Sequence, residues 1–141
     1  MNRREIAIAH KDYDVRGGGE VLAEELARTF DAPMFVGRRD ADCEPDGLDV
    51  DIHEIDHGRL IKRMIDYEGA PRSAAYQFAW QRVDELAAYD TIITSGNEPL
   101  WYVPQDDQTV VAYTHSPPRW QYDLFHDLDG GFPSVVYTYL S

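Results

Sequence analysis

The segment "VVAYTHSPPRWQYD", residues 110–123, places a histidine directly behind a run of apolar residues. Imidazole at the end of a strand can orient a substrate hydroxyl or exchange a proton near neutral pH, so His115 is a candidate for reaction chemistry. The guanidinium of Arg119 offers a planar fork of donors that suits a phosphate or a carboxylate. Trp120 could stack on a sugar or a lipid, although aromatic side chains more often serve packing. A histidine bonded only to backbone is the competing interpretation of His115.

A run of three glycines forms the second candidate. Gly17, Gly18 and Gly19 stand immediately before a helical pattern. Glycines there leave backbone N–H groups open to an anion, and the start of a helix favours negative charge. The spacing is not a dinucleotide fingerprint, because the third glycine of G-x-G-x-x-G would fall on Leu22. A tight turn is the alternative, and Glu20 would be favourable in a first helical turn for structural reasons alone.

A third segment, "HEIDH" at residues 53–57, matches the letters of the zinc protease signature H-E-x-x-H. That chemistry needs both histidines on one face of a helix. Alternating residues precede this segment and Gly58 follows it, which favours the solvated end of a strand. We therefore expect no metal here. The single cysteine, Cys43, excludes an intrachain disulfide and a cysteine zinc cluster.

Strands and helices must position these candidate residues, and the two are distinguished by the period of their apolar residues. Period-two patterns and short apolar runs predict strands, and 3.6-residue periodicity predicts helices. The predicted strands are residues 5–10, 33–37, 48–55, 90–96 and 109–115. The predicted helices are residues 20–30, 59–68 and 73–89, and residues 97–107 are predicted to be a loop or a short helix. The buried face predicted for the last helix consists of Ala75, Phe78, Ala79, Val83, Leu86 and Ala87. Beyond residue 123 the pattern fades.

Alternating strands and helices predict an α/β fold, a single Rossmann-like three-layer domain over residues 1–141. With right-handed crossovers the mostly parallel sheet takes the order 3-2-1-4-5. The carboxyl ends of parallel strands share one rim, and ligands bind where the order reverses, here between strands 1 and 4. His10 would leave strand 1, Ser95 and Asn97 would leave strand 4, and His115 would leave strand 5. The sequence therefore predicts that these polar residues converge on one crevice.

The excess of acidic residues argues against some classes of binding partner. The chain carries 26 acidic and 13 basic residues, a formal net charge of −13, with eleven arginines, two lysines and seventeen aspartates. A field this negative argues against nucleic acid and against unaided adhesion to anionic lipid. Few lysines and many aspartates suggest a salt-adapted, halophilic surface, with an ordinary acidic protein as the alternative. The apolar runs are too short for a signal peptide core or a membrane span, so we expect a cytoplasmic protein.

These features together resemble the amino-terminal domain of family 4 glycosyltransferases, which have the GT-B architecture of two Rossmann-like domains. Many members carry a G-G-x-E stretch in the first loop and helix, which "GGGE" at residues 17–20 matches with one extra glycine. A subgroup carries Y-x-H-[ST]-P-x-R. Its positions are matched by Tyr113, His115, Ser116, Pro117 and Arg119, with Asp123 in the usual following place. The resemblance spans roughly residues 4 to 127.

The resemblance implies transfer of a sugar from a nucleotide-sugar to an acceptor, with retention at the anomeric carbon and with no metal or cofactor. In the family this domain binds the acceptor, the glycine loop approaches the donor phosphates, and the histidine matched by His115 lies near the transferred sugar. The substrate-binding positions would be Gly17, Gly18, Gly19, Glu20, Ser95, Asn97, Arg119, Trp120 and Asp123. Arg119 and Asp123 are the members expected to shape the loop or the acceptor site.

The family's donor-binding half, with its paired-glutamate motif, has no counterpart in the 141 residues. We therefore expect the chain by itself to be inactive and to need a donor domain in cis or in trans. Lipid-linked acceptors of this family imply peripheral association with the inner face of the membrane. An apolar face that the other domain would cover favours self-association. The alternatives are a non-catalytic binding module that pairs with a separate donor-domain protein, and an unrelated small-molecule enzyme on a flavodoxin-like sheet.

Overall fold

The computed structural model describes residues 4–66 and 70–115. Within these ranges the strands are β1 (Arg4–His10), β2 (Met34–Val36), β3 (Ile52–Glu54), β4 (Tyr89–Ser95) and β5 (Thr109–Tyr113). The helices are α1 (Gly18–Phe30), α2 (Gly58–Ile65) and α3 (Ala70–Gln81), with 3-10 turns at Ala41–Cys43, Glu85–Ala88 and Glu98–Trp101. Of the helices described, none is both long and apolar enough to cross a membrane.

The five strands form one sheet in which every pairing is parallel, in the order β3-β2-β1-β4-β5. This confirms the predicted fold class and strand order. The two long strands, β1 and β4, lie at the centre, and their last residues, His10 and Ser95, are direct partners in the register. All carboxyl ends consequently lie along the same rim, and the order reverses between β1 and β4.

Alternate residues of β1 face two separate apolar cores, which makes the domain three-layered. Ala7 and Ala9 belong to the core that contains Trp80 of α3, whereas Ile8 belongs to the core that contains Ala23 and Ala27 of α1. A strand covered on both faces must be apolar at nearly every position, as "IAIA" is. Asp31 caps the C-terminus of α1; it has a left-handed backbone (φ 48°), and its N–H donates to carbonyls of the last helical turn.

The predicted helix over residues 73–89 is wrong in its bounds and in part of its buried face. Helix α3 ends at Gln81, and Leu86 is buried from a separate 3-10 turn. Tyr76 and Trp80 supply the buried face beside Ala75 and Ala79. Phe78 is 52% exposed, and the guanidinium of Arg82 lies 5.7 Å from the centre of its ring. Val83 is buried just beyond the end of the helix. The apolar residues on either side of the helix end therefore have the spacing of one longer amphipathic helix.

Two strand predictions also need correction. The alternating segment at residues 48–55 contains only a three-residue strand, β3, and Leu48 and Val50 pack against the core from the preceding loop. The second concerns β5, whose apolar sequence is typical of a buried strand, although each of its five residues is solvent-exposed. An edge strand pairs on one side only, and an apolar run alone does not distinguish an edge from the centre.

Candidate active site at the carboxyl rim

The centre of the rim is formed by the last residues of the two central strands. His10 and Ser95 are both buried, with exposed fractions of 3% and 0%. Nδ1 of His10 lies 3.1 Å from the carbonyl oxygen of Ser95 and 3.1 Å from its hydroxyl oxygen. The register that pairs the two backbones therefore also brings the imidazole to the serine. Sequence reasoning placed His10 at the rim but did not choose it as a site residue, because a single histidine carries no spacing pattern.

The first turn of α1 holds the other side of the His10 ring. Nε2 of His10 lies 3.3 Å from Oε1 of Glu20, and the backbone N–H of Gly17 donates to Oε2 of the same carboxylate at 2.8 Å. Burial lowers the pKa of His10, although the hydrogen bond and charge of Glu20 act in the opposite direction. Burial acts to raise the pKa of Glu20, but hydrogen bonds from backbone N–H groups and from His10 outweigh it and lower that pKa. Glu20 therefore remains a carboxylate beside the imidazole.

His115 joins this group from beyond the end of β5. Its Nε2 lies 2.8 Å from the hydroxyl oxygen of Ser95. The rings of His10 and His115 meet edge to face, with centroids 6.4 Å apart and an interplanar angle of 73°. The ring of Tyr113 lies 5.6 Å from that of His115, also edge to face. His115 is exposed whereas Ser95 is fully buried, so the histidine is positioned to meet a ligand and the serine is positioned to orient the histidine.

The first turn of α1 lies beside the two histidines. A Cβ atom at Gly19 would lie 3.8 Å from Cε1 of His10 and 3.9 Å from Cε1 of His115, so a side chain there would fill the space beside both rings. A Cβ atom at Gly18 would have no heavy atom of residues 4–66 or 70–115 within 4 Å, so the described chain leaves the space beside this backbone open. The start of α1 thus presents backbone next to the histidine pair.

Of the other predicted site residues, some follow β4 and the rest lie outside the described residues. Gly96 has a left-handed backbone (φ 100°) and turns the chain out of β4. Asn97 then precedes the 3-10 turn, where its carbonyl accepts from the N–H of Leu100 at 3.2 Å and its side chain does not cap the turn. No contact joins Asn97 to the histidines among residues 4–66 and 70–115. The remaining predictions lie outside the described residues; these are Arg119, Trp120, Asp123, Ser116, Pro117 and the uncertain pattern beyond residue 123.

A second polar cluster at the rim has no counterpart among the predictions. Asp12 follows β1 by two residues and is 1% exposed. The hydroxyl of Tyr76 donates to its Oδ1, and Nη2 of Arg72 lies 3.4 Å from its Oδ2. Burial raises the pKa of Asp12 to about 6, although the bond from Tyr76 acts to lower it. Its members are up to 64 positions apart in the chain, so no local spacing could have indicated the cluster.

A third cluster surrounds a buried carboxylate on the inner face of α1. Glu24 is fully buried. Its carboxylate accepts from the hydroxyl of Tyr13 at 2.6 Å, from Nε and Nη2 of Arg16 at 2.9 and 3.1 Å, and from Nη2 of Arg28 at 3.2 Å. Burial acts to raise the pKa of Glu24, but the bonds from Arg16, Tyr13 and Arg28 outweigh it and lower that pKa. This cluster fixes α1 to the loop behind β1.

The two histidines of "HEIDH" have separate partners. His53 lies on β3, where Nε2 is 2.9 Å from Oδ2 of Asp51 and the ring stacks on Phe35. His57 precedes α2, and its Nε2–H donates to the carbonyl of Gly37 at 2.9 Å. In the described ranges no group of three or more histidine, cysteine or acidic side chains is arranged to hold a metal ion.

The rim therefore holds a continuous polar chain in which Glu20, His10, Ser95 and His115 are joined end to end. Such a chain can fix the ring orientation and the proton position of an exposed imidazole beside an open helix start. Comparison of the sequence with family models and curated proteins, and of the chain with solved structures, found no match.

Proposed function

We propose that this chain is the acceptor-binding domain of a retaining glycosyltransferase, which transfers a sugar from a nucleotide-sugar to a glycan or lipid-linked acceptor. The observation that carries the proposal is the convergence of the glycine-opened α1, His10, Ser95 and His115 between β1 and β4. Crevices at this point of a parallel sheet are the usual ligand sites of such folds. The resemblance of "GGGE" and of Tyr113 and His115 to family 4 glycosyltransferases supplies the reaction class.

The geometry suits the parts of that reaction. Departure of a nucleoside diphosphate creates negative charge, which backbone N–H groups at a helix start can stabilise without a metal. The open space beside Gly18 gives a phosphate group access to that backbone. The exposed ring of His115, held by Ser95, is suited to a hydroxyl of the transferred sugar or of the acceptor. A protein that only binds the acceptor would use the same crevice without turnover.

Binding to the isolated chain is the first test. We would titrate the ¹⁵N-labelled protein with UDP-glucose, GDP-mannose and a panel of free glycans, and follow backbone and histidine resonances. We expect the largest shift changes at Gly18, Gly19 and His115, and their loss in His115→Ala. His53→Ala is the matched control, because His53 is an exposed histidine on a different strand. Shift changes confined to other surfaces, or none with any compound, would contradict the proposal.

Transfer is the second test, and it needs a donor-binding domain supplied in the same chain or as a separate protein. We expect product with retained anomeric configuration. We expect His115→Ala to lower kcat by about 100-fold or more while the circular dichroism spectrum is unchanged. Acceptor binding without any transfer would favour the non-catalytic binding module, and an unchanged kcat in His115→Ala would remove the histidine from the reaction centre.

A further inference from the structure

The hydroxyl of Ser95 is shared between two imidazoles. Its oxygen lies 3.1 Å from Nδ1 of His10 and 2.8 Å from Nε2 of His115, both hydrogen-bond distances. Ser95 is fully buried and His10 is 3% exposed, so this hydroxyl is shielded from solvent. The rings approach it from separate elements, one at the end of β1 and the other beyond β5. The proton positions on the two rings are consequently not independent.

Counting protons defines the coupling. The Ser95 hydroxyl is buried, so its single hydrogen needs an acceptor. When the two ring nitrogens supply both of its bonds, the hydroxyl donates to one and accepts from the other. If Nδ1 of His10 lacks a proton, the Ser95 hydrogen points to it and Nε2 of His115 must carry a proton. If Nδ1 of His10 carries a proton, that N–H donates to the Ser95 carbonyl or hydroxyl oxygen, and His10 offers the hydroxyl hydrogen no acceptor. The hydrogen is then paired only by donating to Nε2 of His115, which requires that nitrogen to be bare. Two neutral rings therefore adopt the same tautomer.

Glu20 decides between these arrangements. Its carboxylate lies 3.3 Å from Nε2 of His10 and only accepts hydrogen bonds, so it favours a proton on that nitrogen. The carbonyl of Ser95 favours the opposite tautomer, but it is a neutral acceptor. Glu20 and His115 are the titratable groups that act on the charge of His10 from the elements packed against it in the described chain, and burial keeps His10 neutral near pH 7.

We propose that Ser95 couples the proton positions of His10 and His115, so that Glu20 determines through this relay which ring nitrogen of His115 is free to accept a proton. With Glu20 ionised, both rings carry the proton on Nε2. Nδ1 of His115, which makes no hydrogen bond to residues 4–66 or 70–115, is then a bare acceptor. Glu20, His10 and Ser95 are positioning residues in this scheme.

The consequence for ligands rests on the proposed function. A bare Nδ1 accepts from a hydroxyl, such as that of a sugar, whereas a protonated Nδ1 would donate to a phosphate oxygen. The relay itself is independent of any substrate, because it concerns only the protons of the free chain. A measurement of tautomers on the unliganded protein consequently separates failure of the relay from failure of the glycosyltransferase proposal.

Long-range ¹H–¹⁵N correlation spectra distinguish the two neutral tautomers of each histidine. We would record them on the full chain at about pH 9, well above the ordinary pKa of histidine, and assign the five histidines by single substitution. We expect His10 and His115 both to be protonated at Nε2. In Glu20→Ala we expect His10 to move its proton to Nδ1, where the Ser95 carbonyl accepts it, and His115 to change to the Nδ1–H form with it.

Two controls identify the route. In the double variant Glu20→Ala/Ser95→Ala, His10 should change and His115 should not, because the connecting hydroxyl is gone. Glu25→Ala, an exposed acid on the same helix, should change neither ring. Opposite tautomers of His10 and His115 in the unsubstituted protein would overturn the proposal. A His115 that ignores a change at His10 in Glu20→Ala would overturn it as well. The first of these outcomes is read from the unsubstituted protein.

Discussion

Gly37 lies directly against the ring of Tyr76, so closely that a Cβ atom on the glycine would stand 2.6 Å from Cε1 of the tyrosine. The same atom would lie 2.7 Å from the carbonyl oxygen of Lys11, which accepts from the N–H of Gly37 at 2.7 Å. The loops after β1 and β2 meet here, and the contact holds the tyrosine hydroxyl on Asp12. The second rim cluster therefore depends on a residue that contributes no side chain.

The close contact at Gly37 predicts a large effect of a single methyl group. Gly37→Ala should lower the free energy of unfolding by about 3 kcal/mol, because one of the two clashing atoms belongs to the backbone and cannot rotate away. Gly18→Ala is the matched control: its Cβ meets nothing within 4 Å, and the change should stay within about 1 kcal/mol of the original protein. Urea unfolding measures both values, and equal stabilities of the two variants would contradict the predicted clash.

Asp12 predicts an unusual dependence of stability on pH. Its pKa is raised from 3.8 to about 6 in the folded protein, so the folded chain binds this proton more tightly than the unfolded chain. The free energy of unfolding therefore falls as the pH rises through this interval, by about 3 kcal/mol for a shift of about two units. Asp12→Asn cannot ionise and keeps an acceptor for Tyr76, so it should escape this loss.

The measurement is the difference in free energy of unfolding between Asp12→Asn and the original protein at about pH 4 and about pH 7.5. Relative to the original protein, Asp12→Asn should be more stable at about pH 7.5 than at about pH 4. Asp46→Asn, which removes an exposed carboxylate from a loop, serves as the surface control measured at the same two pH values. A pH-independent difference for Asp12→Asn would mean that this carboxyl group is not buried in solution.

From the buried hydrogen bonds of Glu24, we predict that its carboxylate stabilises the position of α1. Glu24→Ala leaves the hydroxyl of Tyr13 without this acceptor and removes one carboxylate partner from Arg16 and one from Arg28, so we expect a loss of about 3 kcal/mol at neutral pH. Glu25→Ala removes an exposed partner of Arg28 and should cost less than about 1 kcal/mol. Because the pKa of Glu24 is lowered, its contribution is present above pH 4.5 and is lost as the pH falls through the lower folded value.

Thermal unfolding of both glutamate variants at pH 7 would compare the two losses. Similar melting temperatures for Glu24→Ala and Glu25→Ala would show that the buried bonds add nothing beyond a surface ion pair. A narrowing of the gap between Glu24→Ala and the original protein in strong acid is the further expected sign, since the protonated carboxyl no longer attracts the arginines.

The sheet order could be predicted because local patterns suffice for it. Short apolar strands such as "IAIAH" alternate with amphipathic helices, and right-handed crossovers leave few topologies. The convergence of His115, Ser95 and the glycine run followed from that order. The errors occurred where context overrides local pattern. Phe78 continues an apolar stripe but faces solvent, and β5 is apolar but is the outermost strand of the described sheet.

The site residues that sequence reasoning missed are held by contacts between residues far apart in the chain. His10 meets Ser95, 85 positions further along, only because β1 and β4 are neighbours in register. Asp12 meets Tyr76 only because α3 packs against the loop after β1. A sequence lists such residues without indicating which of them meet, so their burial and the direction of their pKa changes could not be predicted.

The bond from Ser95 to His115 joins regions that should open at very different free energies. His10 and Ser95 end the two central strands, whose amides should exchange with deuterium only when the whole domain unfolds. His115 follows β5, which is the outermost strand of the described sheet and has only solvent-exposed residues. Such a segment should open locally at much lower cost. Deuterium should therefore enter β5 long before it enters β1. The imidazole of His115, which is the proposed ligand contact, can thus detach and return while its partner Ser95 stays fixed.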